Sequence, residues 1–579
     1  MGRIFGFCRF YECKRTYSRS RRRSLDTRRF GYRTNAIESI LIRDEEEILN
    51  SDTDIARRYH EQTKHSYWSI RTNPHYLDWY NKPEPFKVYP KLTPITLPRD
   101  FTPSGISALE ALSKSANSDA AGELDLDTLA SLLFYTAGVT KRRPFPGGTI
   151  YFRAAACAGA LYPIEVYIVC GGITGLDAGV YHFNPGDFSL RMLREGDYRR
   201  ALSEASGGSD TVARSPVTVI YSAISWRSTW KYQSRAYRYH YWDSGTMLAH
   251  SIAMAAAHNL RHQILMGFVD DEVNRLIGVD GIREFAVALA TVGKPEADSG
   301  RTRTNSGDAN HFPIDPIAPE TIPLSRSEVA YPLIPEMHRA SSLLSSDEVV
   351  EWKKTRYAIE DPQADPSTAP IELLPKEEII DEPIEKVIER RASTRRFAQK
   401  PISFEDLSTI IDKAIDKAVD KDIDKATDNA ITPTAADVCL ATNTLYLIAN
   451  DIQGLESGAY YFNASGRSLE QLKAGSFRRE AAHLTLDQDL GGEAAVTFFL
   501  MADLNRVLAA YGNRGYRVAE MEAGIIGGRI YLTAYALGRG ATGLTFYDDE
   551  VTEFFSPHAA GKSCMLVVSV GVPGKRPIY

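Results

Sequence analysis

Residues 175–200 read GLDAGVYHFNPGDFSLRMLREGDYRR, and residues 454–479 read GLESGAYYFNASGRSLEQLKAGSFRR. Both carry Gly-Leu-x-x-Gly-x-Tyr-x-Phe-Asn and close on Arg-Arg. The likeness continues downstream in the same order. RAYRYHYWDSG (Arg235–Gly245) answers RGYRVAEMEAG (Arg514–Gly524), and FVDDEV (Phe268–Val273) answers FYDDEV (Phe546–Val551). Self-similarity that keeps its order and spacing marks a tandem of two related domains, placed here at residues 51–297 and 385–579. Residues 298–384, rich in Pro, Ser, Thr and acids, read as a connector running over surfaces. Residues 1–50 read as a basic, disordered arm.

Each domain mixes helix and strand, an α+β fold. IEVYIVC (164–170), VTVIYSA (217–223), VTFFLMA (496–502) and CMLVVSVGV (564–572) are short runs of β-branched and aromatic residues, as strands require. SGTMLAHSIAMAAAHNL and EAGIIGGRIYLTAYALG are apolar around much of their circumference, which predicts buried helices.

The 579 residues exceed what one hydrophobic core usually serves, in keeping with two domains. Apolar residues at 43% and charged residues at 25% are globular values that exclude global disorder. No apolar run approaches the roughly 18 residues of a membrane span, so no membrane partner and a cytoplasmic location are expected. Residues 1–35 hold eleven Lys and Arg against Glu12 and Asp26. A solvated tail or a targeting segment accounts for that arm better than nucleic-acid binding, and nothing beyond residue 45 suggests a nucleic-acid partner. The six cysteines form no Cys-x-x-Cys pair, which argues for reduced thiols. His60 and His65 lack a third ligand, and no metal is expected. The repeat DKAIDKAVDKDIDKATDNA (412–430) interleaves lysines with its aspartates and reads as a solvated helical insertion.

The stretch ALGRGATGL (536–544) spells Gly538-x-Gly540-x-x-Gly543, the letters of a dinucleotide loop. Such a loop must follow a strand and open a helix. Here the helix comes first, so Gly538 reads as a helix C-cap, and Gly540 and Gly543 offer bare backbone to a flat ligand. Upstream, IERRASTRRFAQKPISFEDL places Arg391, Ser393 and Arg395 at alternate positions of an extended segment, hence on one face. Two guanidiniums and a hydroxyl suit a phosphate. PISFEDL looks like a helix cap and first turn.

Arg-x-Ser-x-Arg-x-Phe, the Pro-Ile-Ser-x-Glu-x-Leu that follows and the late ALGxGATG loop resemble the FMN-dependent nitroreductase superfamily. YHEQTKHS, LDWYNKPEPFKVYP, AGALYPIEVYIV (158–169) and WKYQSRAYR (230–238) resemble its SagB-type dehydrogenase branch, over about residues 55–579. That branch includes flavin oxidases that turn thiazolines and oxazolines into thiazoles and oxazoles in ribosomally made peptides. The resemblance implies tandem nitroreductase-like domains, each an antiparallel sheet wrapped by helices. In this superfamily FMN lies at a two-fold dimer interface; here each domain keeps half of the equipment. Domain 1 retains CAGALYP (157–163) but has ALEALSKSAN (108–117) in place of the arginines; domain 2 has the arginines but AADVCLATNTLYL in place of Ala-Leu-Tyr-Pro. The expectation is an intramolecular pseudo-dimer with one working FMN site, monomeric because its interface is internal.

By the resemblance, Arg391, Ser393 and Arg395 hold the phosphate, with Lys575 or Arg576 adding contacts. Backbone at Gly543 and Leu544 meets the pyrimidine and N5 edge, and Cys157, Gly159 and Ala160 lie on the partner side. Lys231 and Tyr232 match a Lys-Tyr pair assigned to proton transfer, where domain 2 has Ala510-Tyr511. Cys157 is expected to be an inert thiol in buried, uncharged surroundings. The expected partners are a small-molecule or modified-peptide substrate and a peptide-modifying complex. An NAD(P)H-dependent nitro or quinone reductase and a flavin-free scaffold are the alternatives.

Overall fold

The computed structural model describes residues 50–114, 120, 122–146, 148–296, 314–355, 357, 369–376, 382–415 and 441–575. Two seven-stranded sheets dominate it, and every strand pairing inside them is antiparallel. The first sheet runs, edge to edge, through Pro94–Thr96, Ser189–Glu195, Gly179–Asn184, Ile164–Cys170, Val217–Ile224, Glu284–Val292 and His262–Leu265. The second repeats that order with Ile371–Glu372, Ser468–Ala474, Gly458–Asn463, Asn443–Ala449, Val496–Ala502, Ser563–Gly571 and Gly540–Leu544. Even the irregularities repeat. Register shifts at Val180/Tyr181 and Tyr221/Ser222 recur at Ala459/Tyr460 and Leu500/Met501, each 279 residues on (459 − 180 and 500 − 221). Bulges are features of a fold that persist through divergence.

The strand Ile164–Cys170 is buried throughout. Val166, Ile168 and Cys170 face the main core, while Tyr167 and Val169 pack with Leu202, Val273 and Leu276 on the opposite face. Cover on both faces explains a continuous apolar run where a half-exposed strand alternates.

Between the sheets lie two long helices, Ala236–Ala257 and Arg514–Ala536, one from each domain, packed on each other and nearly wholly buried. They approach closely at Gly245 and Gly524. A Cβ on Gly245 would sit 2.4 Å from the Met521 carbonyl oxygen, so only glycine permits this crossing. The repeated arginines and aspartates explain each other across this axis. Arg235 and Arg238 reach Asp548 of the other half at 2.9 and 2.7 Å. Arg514 and Arg517 reach Asp270 at 2.6 Å each. All six side chains are buried, and each aspartate is held well below the ordinary carboxylate range by its two arginines.

The connector departs from a surface run. It contributes helices Leu333–Ala340 and Ser346–Lys353, with Met337 and Trp352 buried. The His338 and Ser341 carbonyls accept from Arg517 and Arg514 at 2.7 and 3.0 Å, and Trp352 Nε1 donates to the Tyr511 carbonyl at 2.9 Å. Asp412 also departs from the solvated row expected of it. It ends a helix (Phe404–Ala414), is buried, and pairs with Arg467 at 2.6 Å and Lys413 at 3.0 Å. The remainder of that repeat lies outside the described residues from 416 onward. His60 is buried with Nδ1 3.1 Å from the Tyr516 hydroxyl. Among the described residues no group of three His, Cys, Asp or Glu side chains is placed to hold a metal ion, and no helix is long and apolar enough to cross a membrane.

Candidate active site

The second long helix ends at Leu537, the chain turns through Gly538 at φ 68°, and Gly540–Leu544 leaves as a strand. Helix before strand is the order that excludes a dinucleotide loop. Beside this strand runs the extended segment 391–397. Thr394 N donates to the Ala541 carbonyl at 2.8 Å, Ser393 bridges Ala541, Phe397 bridges Pro573, and Gly574 N donates to Arg396 O at 2.8 Å. Clamp segment, glycine strand and C-terminal tail therefore lie side by side, with Lys575 exposed beside them. Tyr531 ties them together: its hydroxyl accepts from Gly543 N at 2.5 Å and stands 3.3 Å from Ser393 Oγ. Gly543 is the exposed position of its strand, while Leu544 is buried. A Cβ on Gly543 would meet nothing closer than the Tyr531 hydroxyl at 3.7 Å, so a face of bare backbone stands open there.

The other half supplies the loop 157–160. Its backbone turns sharply, with Gly159 at φ 63°, Ala160 at φ 53° and Tyr162 at φ 51°. The first long helix lashes it down. Asp243 Oδ1 accepts from Ala158 N at 2.8 Å, Asp243 Oδ2 from the Cys157 thiol at 3.1 Å, and Thr246 Oγ1 donates to the Ala156 carbonyl at 2.8 Å. Burial lifts Asp243 to about 7, against the pull of those two donors. Cys157 is thus not in uncharged surroundings. Burial, as expected, is the larger cause that pushes its thiol well up, and Asp243 adds to it.

Lys231 and Tyr232 end the helix Ser225–Tyr232. Its start is pinned by Arg227, which pairs with buried Glu165 and donates to the Tyr162 carbonyl at 3.0 Å. The helix stops at Gln233, φ 50°, and delivers both side chains to Gly159. A Cβ on Gly159 would lie 2.7 Å from the Tyr232 hydroxyl and 3.3 Å from Lys231 Nζ. Burial, then Arg395, holds the Lys231 ammonium below its ordinary range, and burial pushes the Tyr232 phenol well up. Among the described residues neither side chain has a hydrogen-bonded partner.

Arg391 joins the two halves. Its Nε donates to Ala154 O at 2.6 Å and its Nη2 to Arg153 O at 3.0 Å, at the base of the 157–160 loop. The expected pair of equivalent phosphate donors is therefore unequal. Arg391 spends two donors on carbonyls at the end of the strand Gly148–Arg153, whereas Arg395 is exposed and pairs with no carboxylate among the described residues. An exposed guanidinium, a hydroxyl pair and an open glycine edge together fit a flat, phosphate-bearing cofactor such as FMN. The second half contributes Arg391, Ser393, Arg395 and Gly543 and the first half Cys157, Gly159, Lys231 and Tyr232, with Arg395 near enough to act on Lys231 and Arg391 bonded beneath the 157–160 loop. Arg576 lies outside the described residues. Tyr531 and Asp243 went unread in the sequence, where each is one polar position in a buried helix. In the first long helix His250 has its Nδ1 3.0 Å from the Tyr135 carbonyl, and its repeat partner, 279 residues on (529 − 250), is Arg529. It donates to the Leu112 and Lys413 carbonyls at 2.9 and 2.6 Å.

Comparison with known proteins agrees with this architecture. The model of the nitroreductase family matches residues 122–294 and 388–572, one segment per half and more than half of the chain. The crystal structure of an Anabaena variabilis protein described as a nitroreductase superposes with a TM-score of 0.70 at 28% identity, covering 90% of this chain and 99% of that one. A Methanocaldococcus jannaschii protein also described as a nitroreductase is 28% identical over 30% of this chain and 81% of its own length. The microcin B17-processing protein McbC of Escherichia coli is 27% identical over 24% of this chain, and the match spans about half, 49%, of that relative.

Proposed function

The chain belongs to the nitroreductase family, and from that premise we propose that it is an FMN-dependent dehydrogenase of the SagB type, oxidising an azoline ring on a peptide or small molecule. One observation carries the reading: side chains from both halves meet at a single loop. Lys231 and Tyr232 close on Gly159, and Arg391 of the other half grips the loop's base beside Ser393 and Gly543. A relative named for processing microcin B17 supports the substrate class.

In this reading Ser393, Arg395 and Lys575 hold the phosphate, with the remaining N–H donors of Arg391. Backbone at Gly543 and Leu544 meets one edge of the ring system, and Cys157, Gly159 and Ala160 line its other side. Bound FMN supplies the two-electron acceptor. Conversion of an azoline to an azole removes one hydride and one proton as a ring double bond forms. The proton passes to the amine of Lys231, whose ammonium burial and Arg395 hold below its ordinary range. Tyr232, kept protonated by burial, donates a hydrogen bond to the ring heteroatom. Dioxygen would be the final acceptor of the electrons.

The test is direct. Purified protein is expected to be yellow, to release FMN on denaturation, and to convert a thiazoline to its thiazole with consumption of dioxygen. Rapid bleaching by NAD(P)H without thiazoline turnover would make it a reductase instead. Colourless protein that takes up no FMN would make it a scaffold.

A further inference from the structure

Five of the twelve large apolar side chains exposed among the described residues lie between Tyr67 and Tyr80. Tyr67 is 41% exposed, Trp68 71%, Tyr76 85%, Trp79 67% and Tyr80 91%. Tyr and Trp bring large apolar area to a contact, and a concentration of them on a surface marks a place of interaction.

This run is held in shape. Ser66 and Ser69 form a capping box at the helix Tyr67–Thr72, and the Asp78 carboxylate accepts from Tyr80 N at 3.1 Å. Trp230 Nε1 donates to the Asp78 carbonyl at 2.9 Å, and His75 Nε2 lies 2.8 Å from the Trp230 carbonyl. Underneath, Trp79 packs edge-on against Trp230, ring centroids 5.2 Å apart. Leu77 joins a cluster with Leu161, Trp226, Trp230 and Tyr232. Leu161 belongs to the segment that carries Gly159, and Trp230 immediately precedes Lys231. One packed cluster therefore underlies both the exposed aromatics and the proposed catalytic pair. The charges of the run decide what it suits. Arg71 and Asp78 oppose each other, and the Arg71 guanidinium already stacks 3.4 Å above the Tyr67 ring. Neither an anionic nor a cationic partner finds a complement here, whereas flat, uncharged groups do.

Resting on the dehydrogenase reading, we propose that the surface from Tyr67 to Tyr80 is the shelf on which the peptide substrate lies while one of its azolines reaches Lys231. Its occupant is an extended, uncharged peptide whose amide planes and finished azole rings stack on Trp68, Tyr76, Trp79 and Tyr80. Rigid aromatic side chains give up little conformational freedom when such a peptide docks.

Two probes separate the shelf from the catalytic site: a monocyclic 2-methylthiazoline-4-carboxamide, and a synthetic Gly/Ser peptide bearing one thiazoline and two thiazoles. The variant Trp68→Ser, Tyr76→Ser, Tyr80→Ser removes exposed rings only. Its KM for the peptide is expected to rise roughly tenfold or more, as loss of one strong contact or more would give. Its kcat/KM for the monocyclic thiazoline should stay within about twofold of the parent protein, with an unchanged Tm. Equal losses on both substrates, or an unchanged peptide KM, overturn the shelf. So does a parent protein that dimerises with concentration while the variant does not, because the occupant is then a second copy. If the parent protein turns over neither probe, the dehydrogenase reading is what fails. Fluorescence anisotropy of the labelled peptide then decides the shelf: binding lost in the variant upholds it, and binding retained overturns it.

Discussion

Gly159 is constrained twice over. It combines a left-handed backbone with a Cβ position 2.7 Å from the Tyr232 hydroxyl, so Gly159→Ala must move either the loop or the tyrosine. The expected outcome is a stability loss of about 1–2 kcal/mol with a larger loss of turnover, read by thermal unfolding and steady-state kinetics. For Lys231 the sign is set by its neighbours. Burial and Arg395 hold its pKa down, so the neutral amine, and with it kcat/KM, rises with pH and levels off below the ordinary lysine range. At saturating FMN, Arg395→Ala removes a cation and should move that rise to higher pH; an unmoved profile would separate Lys231 from the rate. These residues could be proposed from sequence because short motifs carry them: the Lys-Tyr pair, Arg-x-Ser-x-Arg, and glycine beside Ala-Leu-Tyr-Pro. Asp243 and Tyr531 were not, since a lone polar letter within a buried helix does not say which loop it holds.

The long helices hold an unusual store of carboxyl groups. Asp243, Glu520 and Glu522 are all buried and lifted to about 7, desolvation being the largest cause in each. Asp243 and Glu522 are repeat partners, 279 apart (522 − 243). Where Asp243 holds the Ala158 amide, Glu522 accepts from the Thr442 and Asn443 amides at 2.8 and 3.0 Å. A folded-state pKa above the unfolded one means the native protein keeps protons that the unfolded chain releases. That contribution is fully present below about pH 4 and is lost as pH rises through about 7. Urea midpoints should therefore fall between pH 5 and 8, and Asp243→Asn with Glu522→Gln should flatten the fall. Asp270 and Asp548 work in the opposite sense, because their depressed pKa values withdraw stability as acid protonates them. Asp548→Asn, which leaves buried Arg235 without its carboxylate and Arg238 with only Glu520 at 4.0 Å, should cost about 3–5 kcal/mol in thermal or denaturant unfolding. The strands and long helices were readable from their apolar runs. The connector helices were not, since Pro, Ser and acids dominate the segment and its few buried residues, Met337 and Trp352 among them, set no visible period.

Across the whole molecule, the tandem was evident from two matching stretches, because register is kept even at the bulges. How the halves interlock was not evident, since no sequence pattern says that an arginine in one repeat meets an aspartate in the other. The arrangement predicts one FMN per chain on quantitative release, because residues 108–117 carry no arginine where the second half has Arg391 and Arg395, and Arg529, the repeat partner of His250, has its guanidinium set on the Leu112 and Lys413 carbonyls. Two tightly bound FMN per chain would refute that.

Arg529 has a genetic consequence as well. In a dimer of identical subunits one codon writes both members of every symmetric pair, so a change that closes one site closes the other too. Joined in a single polypeptide, His250 and Arg529 are written by separate codons. The crossed arginine–aspartate clamps keep the halves in register while their inventories drift apart. One gene can thus retire a site without giving up the interface that built it.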